Sequence, residues 1–254
     1  MIKKILKKIN SILFTFKPSF YYEKKLEHIG TIYGGYDICI DNLDNPNIIS
    51  CGLGEDATFD IDMINKFNAK VIAIDPTPRA LKHYNDIKEN FGKKNSTTPT
   101  ESGKLEISDY NLEKVNEKNY IFIYKALWKS NDKKLKLFFP KNKENVSLSI
   151  NKNPKFSDEY FLANTIIFDE VLSSLNIETV DILKLDIEGA EIEVIESIIK
   201  SSNLPRQILV EFDIRRRPSL NSYLTLKKIH STILNKYYLA GINKKGDFTY
   251  IKNK

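Results

Sequence analysis

Two carboxylates end a largely apolar run in the second half of the chain. The run extends from Val180 to Leu185, and Asp186, Glu188 and Gly189 follow it. The helical spacing of isoleucine and valine over residues 192–199 then begins at once. This pattern predicts a buried strand, a tight turn and a helix. In open α/β sheets, working groups gather outside the carboxyl ends of the strands, so we predict that Asp186 and Glu188 are catalytic residues.

A second pair of acids, Glu211 and Asp213, lies on or just after the next predicted strand. Residues two apart share one face of a strand, so both side chains would converge on Asp186. Carboxylates this close repel each other unless a positive charge lies between them. We therefore predict that Asp186, Glu211 and Asp213 are ligands of a divalent metal ion that would activate a substrate hydroxyl. In the alternative interpretation, the acids cap helices or pair with Lys184, Arg215 and Arg216.

A glycine-rich turn follows the first strand of the predicted sheet. Gly52 and Gly54 allow the backbone to turn tightly and to approach a ligand, and the following helix offers free amide donors. A second predicted strand ends at Asp75, about 20 residues on, where an acid can accept hydrogen bonds from both ribose hydroxyls. Glu55 and Asp56 would repel a pyrophosphate but would attract a cationic cofactor group. The two motifs together predict an adenosine-containing cofactor.

Strands and helices alternate over most of the chain, which predicts an α/β fold with a mostly parallel sheet. We predict a hairpin at 128–139, a poorly patterned segment that lies over a site at 140–164, and a final antiparallel hairpin around Lys244 to Asp247. Residues 1–30 are predicted to form helices broken near Pro18. The predicted division is an N-terminal helical extension, 1–45, and a main domain, 46–254.

The composition suggests an intracellular protein that attracts anions, but the lysines are spread along the chain, which favours a diffusely solvated surface instead. The net charge is +6 and the sequence pI is about 9.0. Cys39 and Cys51 do not make a disulfide framework, which fits a reducing cytoplasm. The amphipathic period of residues 1–16 predicts a helix that packs on the domain or on a second subunit, or that lies on an anionic membrane surface.

The quoted motifs resemble the FkbM family of S-adenosylmethionine-dependent methyltransferases. The resemblance rests on Asp-Ile-Leu-Lys-Leu-Asp-Ile-Glu-Gly-Ala-Glu at 181–191, on residues 50–60 and 71–78, and on 209–213. It implies a class I methyltransferase, Rossmann-like fold. It also implies a cofactor site at Gly52, Gly54, Glu55, Asp56, Asp75 and Pro76.

The resemblance further implies methyl transfer to a sugar hydroxyl in surface polysaccharide synthesis, with a sugar or nucleotide-linked sugar as the small-molecule acceptor. Two positions depart from the family pattern. Ser50 stands where the family usually carries an acid, and we hypothesise that Glu55 or Asp56 takes over its role. Asp213 stands where many members carry a histidine.

Two other classes of function are alternatives. The glycine turn and Asp75 also suit an NAD(P)-dependent oxidoreductase, although the chain offers no evident hydride-site constellation. A nucleic-acid-binding module would call for an aromatic-rich or helix-turn-helix pattern that the chain lacks, so we predict no nucleic-acid partner.

Overall fold

A seven-stranded sheet organises the chain in the computed structural model, which describes residues 16–18, 26–94, 104–131, 134–141, 148–151 and 156–253. The strands are β1 (Leu26–Ile29), β2 (Tyr36–Cys39), β3 (Asn47–Cys51), β4 (Lys70–Ile74), β5 (Tyr120–Ile123), β6 (Ala126–Leu127), β7 (Leu135–Pro140), β8 (Phe156–Ala163), β9 (Thr165–Ile166), β10 (Ile182–Leu185), β11 (Gln207–Val210), β12 (Tyr237–Ile242) and β13 (Phe248–Lys252). The helices are α1 (Thr58–Phe67), α2 (Pro78–Lys88), α3 (Phe168–Ser174), α4 (Glu191–Ile198) and α5 (Leu220–Leu234). Short 3-10 helices occupy Ile107–Asp109 and Asp213–Arg216.

The strand order of the large sheet is β12-β13-β11-β10-β3-β4-β5. Strands β11, β10, β3, β4 and β5 run parallel to one another, whereas β13 and β12 are antiparallel to their neighbours. The predicted α/β class, the mostly parallel sheet and the antiparallel hairpin at its edge are therefore confirmed.

Helices cover both faces of this sheet. Alternate strand residues point to opposite sides: Ile49 and Leu183 contribute to one apolar cluster with α3, α4 and α5, while Ile48 and Ile182 contribute to another with α1. Because both faces are buried, the parallel strands consist of nearly continuous apolar runs. This explains why those strands could be recognised in the sequence.

The last residues of β3, β4, β10 and β11 pair across the sheet in one row. Gly52, Asp75, Asp186 and Glu211 follow these four strands directly. Four residues that the sequence singled out therefore leave the sheet at the same edge.

The N-terminal part of the described chain differs from its prediction. Residues 26–29 were predicted to be helical, but they form β1, which pairs with β2 in an antiparallel hairpin. Gly30 has φ +92°, a left-handed conformation that glycine adopts without strain and that helps the chain reverse after β1. The helical prediction for residues 1–15 and 19–25 lies outside the described residues, and the division at 45/46 stays a prediction.

The predicted hairpin at 128–139 is also wrong. Strand β7 pairs antiparallel with β8, which lies inside the segment predicted to be poorly patterned, while β6 pairs with β9. Strand pairing depends on partners distant in sequence, and the turn residues Asn131 and Asp132 suggested a local partner instead. Within the described ranges, no helix is long and apolar enough to cross a membrane.

Candidate active site

A cavity of about 400 Å³ opens at the edge of the sheet where β3, β4, β10 and β11 end. Its walls include all of the site residues predicted from the sequence except Asp213: Gly52, Gly54, Glu55, Asp56, Asp75, Pro76, Asp186, Glu188 and Glu211. The apolar part of the wall includes Leu53, Ile74, Ala126, Leu127, Leu135, Leu137 and Leu148. The fold thus brings the glycine turn and the acidic cluster to one place.

The glycine turn is held in close contact with the neighbouring strand. Gly52 has φ +86°, and a Cβ atom added there would lie 1.8 Å from the carbonyl oxygen of Asp186. Gly54 has φ +58°, but the space beside it is open, since a Cβ atom added there would have no heavy atom within 4 Å. The first glycine is therefore needed for backbone approach, while the second mainly supplies the left-handed conformation.

Asp75 fixes the turn from the next strand. Its carboxylate accepts hydrogen bonds from the amides of Leu53 at 3.0 Å, Gly54 at 3.1 Å and Thr77 at 2.8 Å. Burial raises the pKa of Asp75, and the hydrogen bonds from Thr77, Gly54 and Leu53 oppose that rise. Asp75 is 5% exposed and lines the cavity, so it supports the turn and also faces the space a ligand would enter.

Glu55 and Asp56, the two proposed substitutes for the missing acid at Ser50, have different surroundings. Asp56 accepts hydrogen bonds from the hydroxyl of Thr31 at 2.7 Å and from the amide and hydroxyl of Thr58 at 3.0 and 2.6 Å. Glu55 Oε2 is buried and accepts no hydrogen bond within the described part of the chain, although Arg79 lies 3.9 Å away. Of the two, Glu55 has the carboxylate that is available to a ligand.

Arg216 occupies the centre of the acidic cluster. Its guanidinium donates to both carboxylate oxygens of Glu188 at 3.3 and 3.2 Å and also to Glu211. Burial lowers the Arg216 pKa, but Glu188, Glu211 and Asp186 raise it by more. Burial and Asp186 raise the pKa of Glu211 to about 7, against the opposing effect of Arg216. The interpretation that these acids pair with a nearby arginine is therefore confirmed for Glu188 and Glu211.

The predicted metal centre is not assembled. Strand β11 ends at Val210, and the chain continues into a 3-10 helix that begins at Asp213, so the alternation assumed for Glu211 and Asp213 does not hold. Asp213 forms an ion pair with Arg217 and does not line the cavity. Among the residues that the structure describes, no three acidic, histidine or cysteine side chains form a group that could hold a metal ion. The residues present do not fit a metal.

The remaining titratable groups near these strands have structural partners. His83 Nε2 lies 2.7 Å from the hydroxyl of Tyr110, and His230 Nδ1 lies 2.7 Å from that of Tyr250. Arg215 donates to the carbonyl of Gly246. None of these three side chains lines the cavity. Asp186 does line it, and in the described ranges no group donates a hydrogen bond to the Asp186 side chain.

Sequence reasoning assigned no catalytic or cofactor-binding role to Tyr33, Lys184 and Lys245, which line the wall. Tyr33 lies in the loop of the β1–β2 hairpin, and Lys245 donates a hydrogen bond to its carbonyl from the loop between β12 and β13. No local pattern marks either residue. Lys184 did leave a signal, since a lysine inside an apolar strand is seldom buried without a partner.

The comparisons agree with this arrangement. A family model described as the methyltransferase FkbM domain matches residues 42–226. Searches of curated proteins and of solved structures found no match to the chain. The matched region contains β3, β4, β10 and β11 and the residues that follow them.

Proposed function

The chain belongs to the FkbM methyltransferase family, and we propose that it transfers a methyl group from S-adenosylmethionine to a hydroxyl oxygen of a sugar. The observation that carries the proposal is the cavity in which a glycine turn braced by Asp75 faces the carboxylate of Asp186. We also propose that the sheet, with its parallel strands and antiparallel edge hairpin, is the class I, Rossmann-like arrangement.

The wall of the cavity suits a cationic cofactor. Six carboxylates and three cationic side chains line it, so the surroundings favour a sulfonium and an ammonium over the pyrophosphate of a dinucleotide. The buried Oε2 of Glu55 offers an acceptor for that ammonium. The volume of about 400 Å³ lies in the roughly 300–1,000 Å³ range of small-molecule sites. An NAD(P)-dependent oxidoreductase is not favoured.

We assign the cofactor to the side of the cavity formed by the glycine turn and by Asp75 and Pro76. Asp75 would accept from one ribose hydroxyl with the lone pair that its three amide donors leave over. The amino acid end would extend along Gly52 and Gly54 toward Glu55. When bound there, S-adenosylmethionine supplies an electrophilic methyl group.

Asp186 is the proposed general base. Its carboxylate lines the cavity, and a hydroxyl is a poor nucleophile until a base removes its proton. Glu188 would act indirectly, because with Glu211 it holds Arg216 beside the reacting groups. No step of this mechanism is assigned to a metal, because the described acids do not converge on one.

The acceptor is proposed from the FkbM resemblance: a sugar or nucleotide-linked sugar of bacterial surface polysaccharide synthesis, methylated in the cytoplasm. A contact of residues 1–16 with a membrane surface or a second subunit is also part of this proposal. We propose no nucleic-acid partner, since the sequence carries neither an aromatic-rich nor a helix-turn-helix pattern.

Calorimetry with S-adenosylhomocysteine and with NAD tests the cofactor assignment. We expect the first to bind and the second not to bind. Glu55→Gln should weaken S-adenosylhomocysteine binding about tenfold, because a charge-assisted contact to the ammonium is lost. Glu113→Gln is the matched control, since Glu113 pairs with Lys94 on the surface at 3.6 Å. Binding of NAD in preference to S-adenosylhomocysteine would refute the proposal.

A further inference from the structure

Lys184 is a buried cation in the wall of the proposed cofactor site. It lies in β10, one residue before the strand ends, and its side chain points to the face of the sheet that the N-terminal hairpin covers. It is 5% exposed and lines the cavity. A lysine is seldom buried in this way without a charged partner or a ligand.

The Lys184 ammonium forms one hydrogen bond with the glycine turn. Nζ donates to the carbonyl oxygen of Gly52 at 2.9 Å. The ring of Tyr36 lies 5.5 Å from Nζ, a distance at which a cation and an aromatic face attract each other. An ammonium has three donors, and Gly52 accepts from one of them.

The groups that face Lys184 from other elements leave its charge incompletely paired. Asp60 of α1 feels the charge of Lys184: burial raises the Asp60 pKa, and Lys184 lowers it. Asp60 and Lys184 do not form an ion pair within 4.0 Å, and Tyr120 donates to Asp60 at 3.1 Å. Tyr36 of β2 contributes a hydroxyl that has no hydrogen-bond partner among the described residues.

The other two cations of the cavity are occupied. Arg216 bonds to Glu188 and Glu211, and Lys245 lies 3.3 Å from Asp247 and donates to the carbonyl of Tyr33. Among the three cations of the described wall, Lys184 is therefore the one that contacts the glycine turn and forms no ion pair.

We propose that the Lys184 ammonium binds the carboxylate of the amino acid end of S-adenosylmethionine. Glu55 and Lys184 would then receive the two opposite charges of that zwitterion, its ammonium and its carboxylate, on the two sides of Gly52 to Gly54. This inference rests on the proposed function, because it assumes the cofactor. Lys184 would then have two roles, since it would bind the cofactor carboxylate and also hold the glycine turn through its hydrogen bond to Gly52.

The test compares two ligands that differ only in the carboxylate: S-adenosylhomocysteine and S-adenosyl-3-thiopropylamine. Calorimetry on wild type should show S-adenosylhomocysteine binding about tenfold or more tightly, as expected for a charge-assisted hydrogen bond. Lys184→Met should remove that preference by weakening S-adenosylhomocysteine alone. If Lys184 acted only by supporting the turn, the variant would lose affinity for both ligands equally, which would overturn the proposal.

Lys236→Met is the matched control, because Lys236 Nζ also donates to a backbone carbonyl, that of Ile199 at 2.8 Å, but does not line the cavity. It should keep the wild-type preference. If Lys184→Met does not fold, the wild-type comparison still decides, and equal affinity for the two ligands overturns the inference. Failure of wild type to bind either ligand would instead refute the proposed function.

Discussion

Replacing Asp75 by asparagine tests whether its carboxylate holds the glycine turn. The carboxylate accepts from the amides of Leu53, Gly54 and Thr77, at 3.0, 3.1 and 2.8 Å. An asparagine can keep its oxygen toward Leu53 and Gly54, but its NH₂ group then faces the amide of Thr77, so two donors oppose each other.

The size of the effect of Asp75→Asn follows from the hydrogen bonds that the substitution changes. A hydrogen bond to a charged group contributes about 1.5–3 kcal/mol, and one such bond is lost while the other two become neutral. The neutral amide avoids part of the burial cost that raises the Asp75 pKa, which offsets some of the loss. We expect the free energy of unfolding to fall by about 1–3 kcal/mol and the affinity for S-adenosylhomocysteine to fall about tenfold.

Urea denaturation and calorimetry measure the two effects. Asp86→Asn is the control, because Asp86 pairs with Lys82 on the surface of α2 and solvent screens that pair. It should leave both quantities nearly unchanged. If Asp75→Asn behaved like Asp86→Asn in both assays, the assignment of Asp75 to the turn and the cofactor would be wrong.

Three further predictions concern the same edge of the sheet. In urea denaturation, Gly52→Ala should destabilise the protein by about 3 kcal/mol or more, because its Cβ would lie 1.8 Å from a carbonyl oxygen. Gly54→Ala should cost only about 1–2 kcal/mol, because its Cβ meets no other atom and only the left-handed conformation is unfavourable. Asp186→Asn should reduce the rate of methyl transfer by about 10²-fold or more while S-adenosylhomocysteine affinity in calorimetry changes little, and an undiminished rate would exclude it as the base. Burial raises the pKa of Glu191 to about 8 from its ordinary 4.5, so the stability it contributes is present below about pH 4.5 and is lost as pH rises through about 8. Glu191→Gln should therefore lose less stability than wild type over that range, and parallel curves would show that Glu191 does not titrate as assigned.

The sequence predicted the parts of the site that depend on neighbours in the chain. Strands buried on both faces are mostly apolar, so β3 and β10 could be recognised from composition despite Ser50 and Lys184. The residues directly after them had to lie at the same edge, and Gly52 and Asp186 do. That much followed from local pattern together with the geometry of parallel sheets.

The missed features depend on contacts between distant segments. Arg216 neutralises Glu188 from 28 positions away, so the repulsion that suggested a metal is relieved by a side chain. The helical turn at Asp213 breaks an alternation that the sequence pattern had suggested. The pairing of β7 with β8 spans a segment with no regular pattern, and no local signal selects that partner.

The attachment of the N-terminal hairpin determines where this polypeptide can be shortened. The side-chain amide of Gln207 exchanges two hydrogen bonds with the backbone of Cys39, at 2.9 and 2.7 Å, and Thr249 donates to the carbonyl of Asp37 at 2.6 Å. A fragment that began at residue 42 would leave the buried amide of Gln207 unpaired and would remove the Tyr36 ring that covers Lys184. We therefore expect the hairpin to unfold together with the sheet, and a fragment that starts at residue 42 and keeps the rest of the chain should aggregate instead of giving a smaller enzyme.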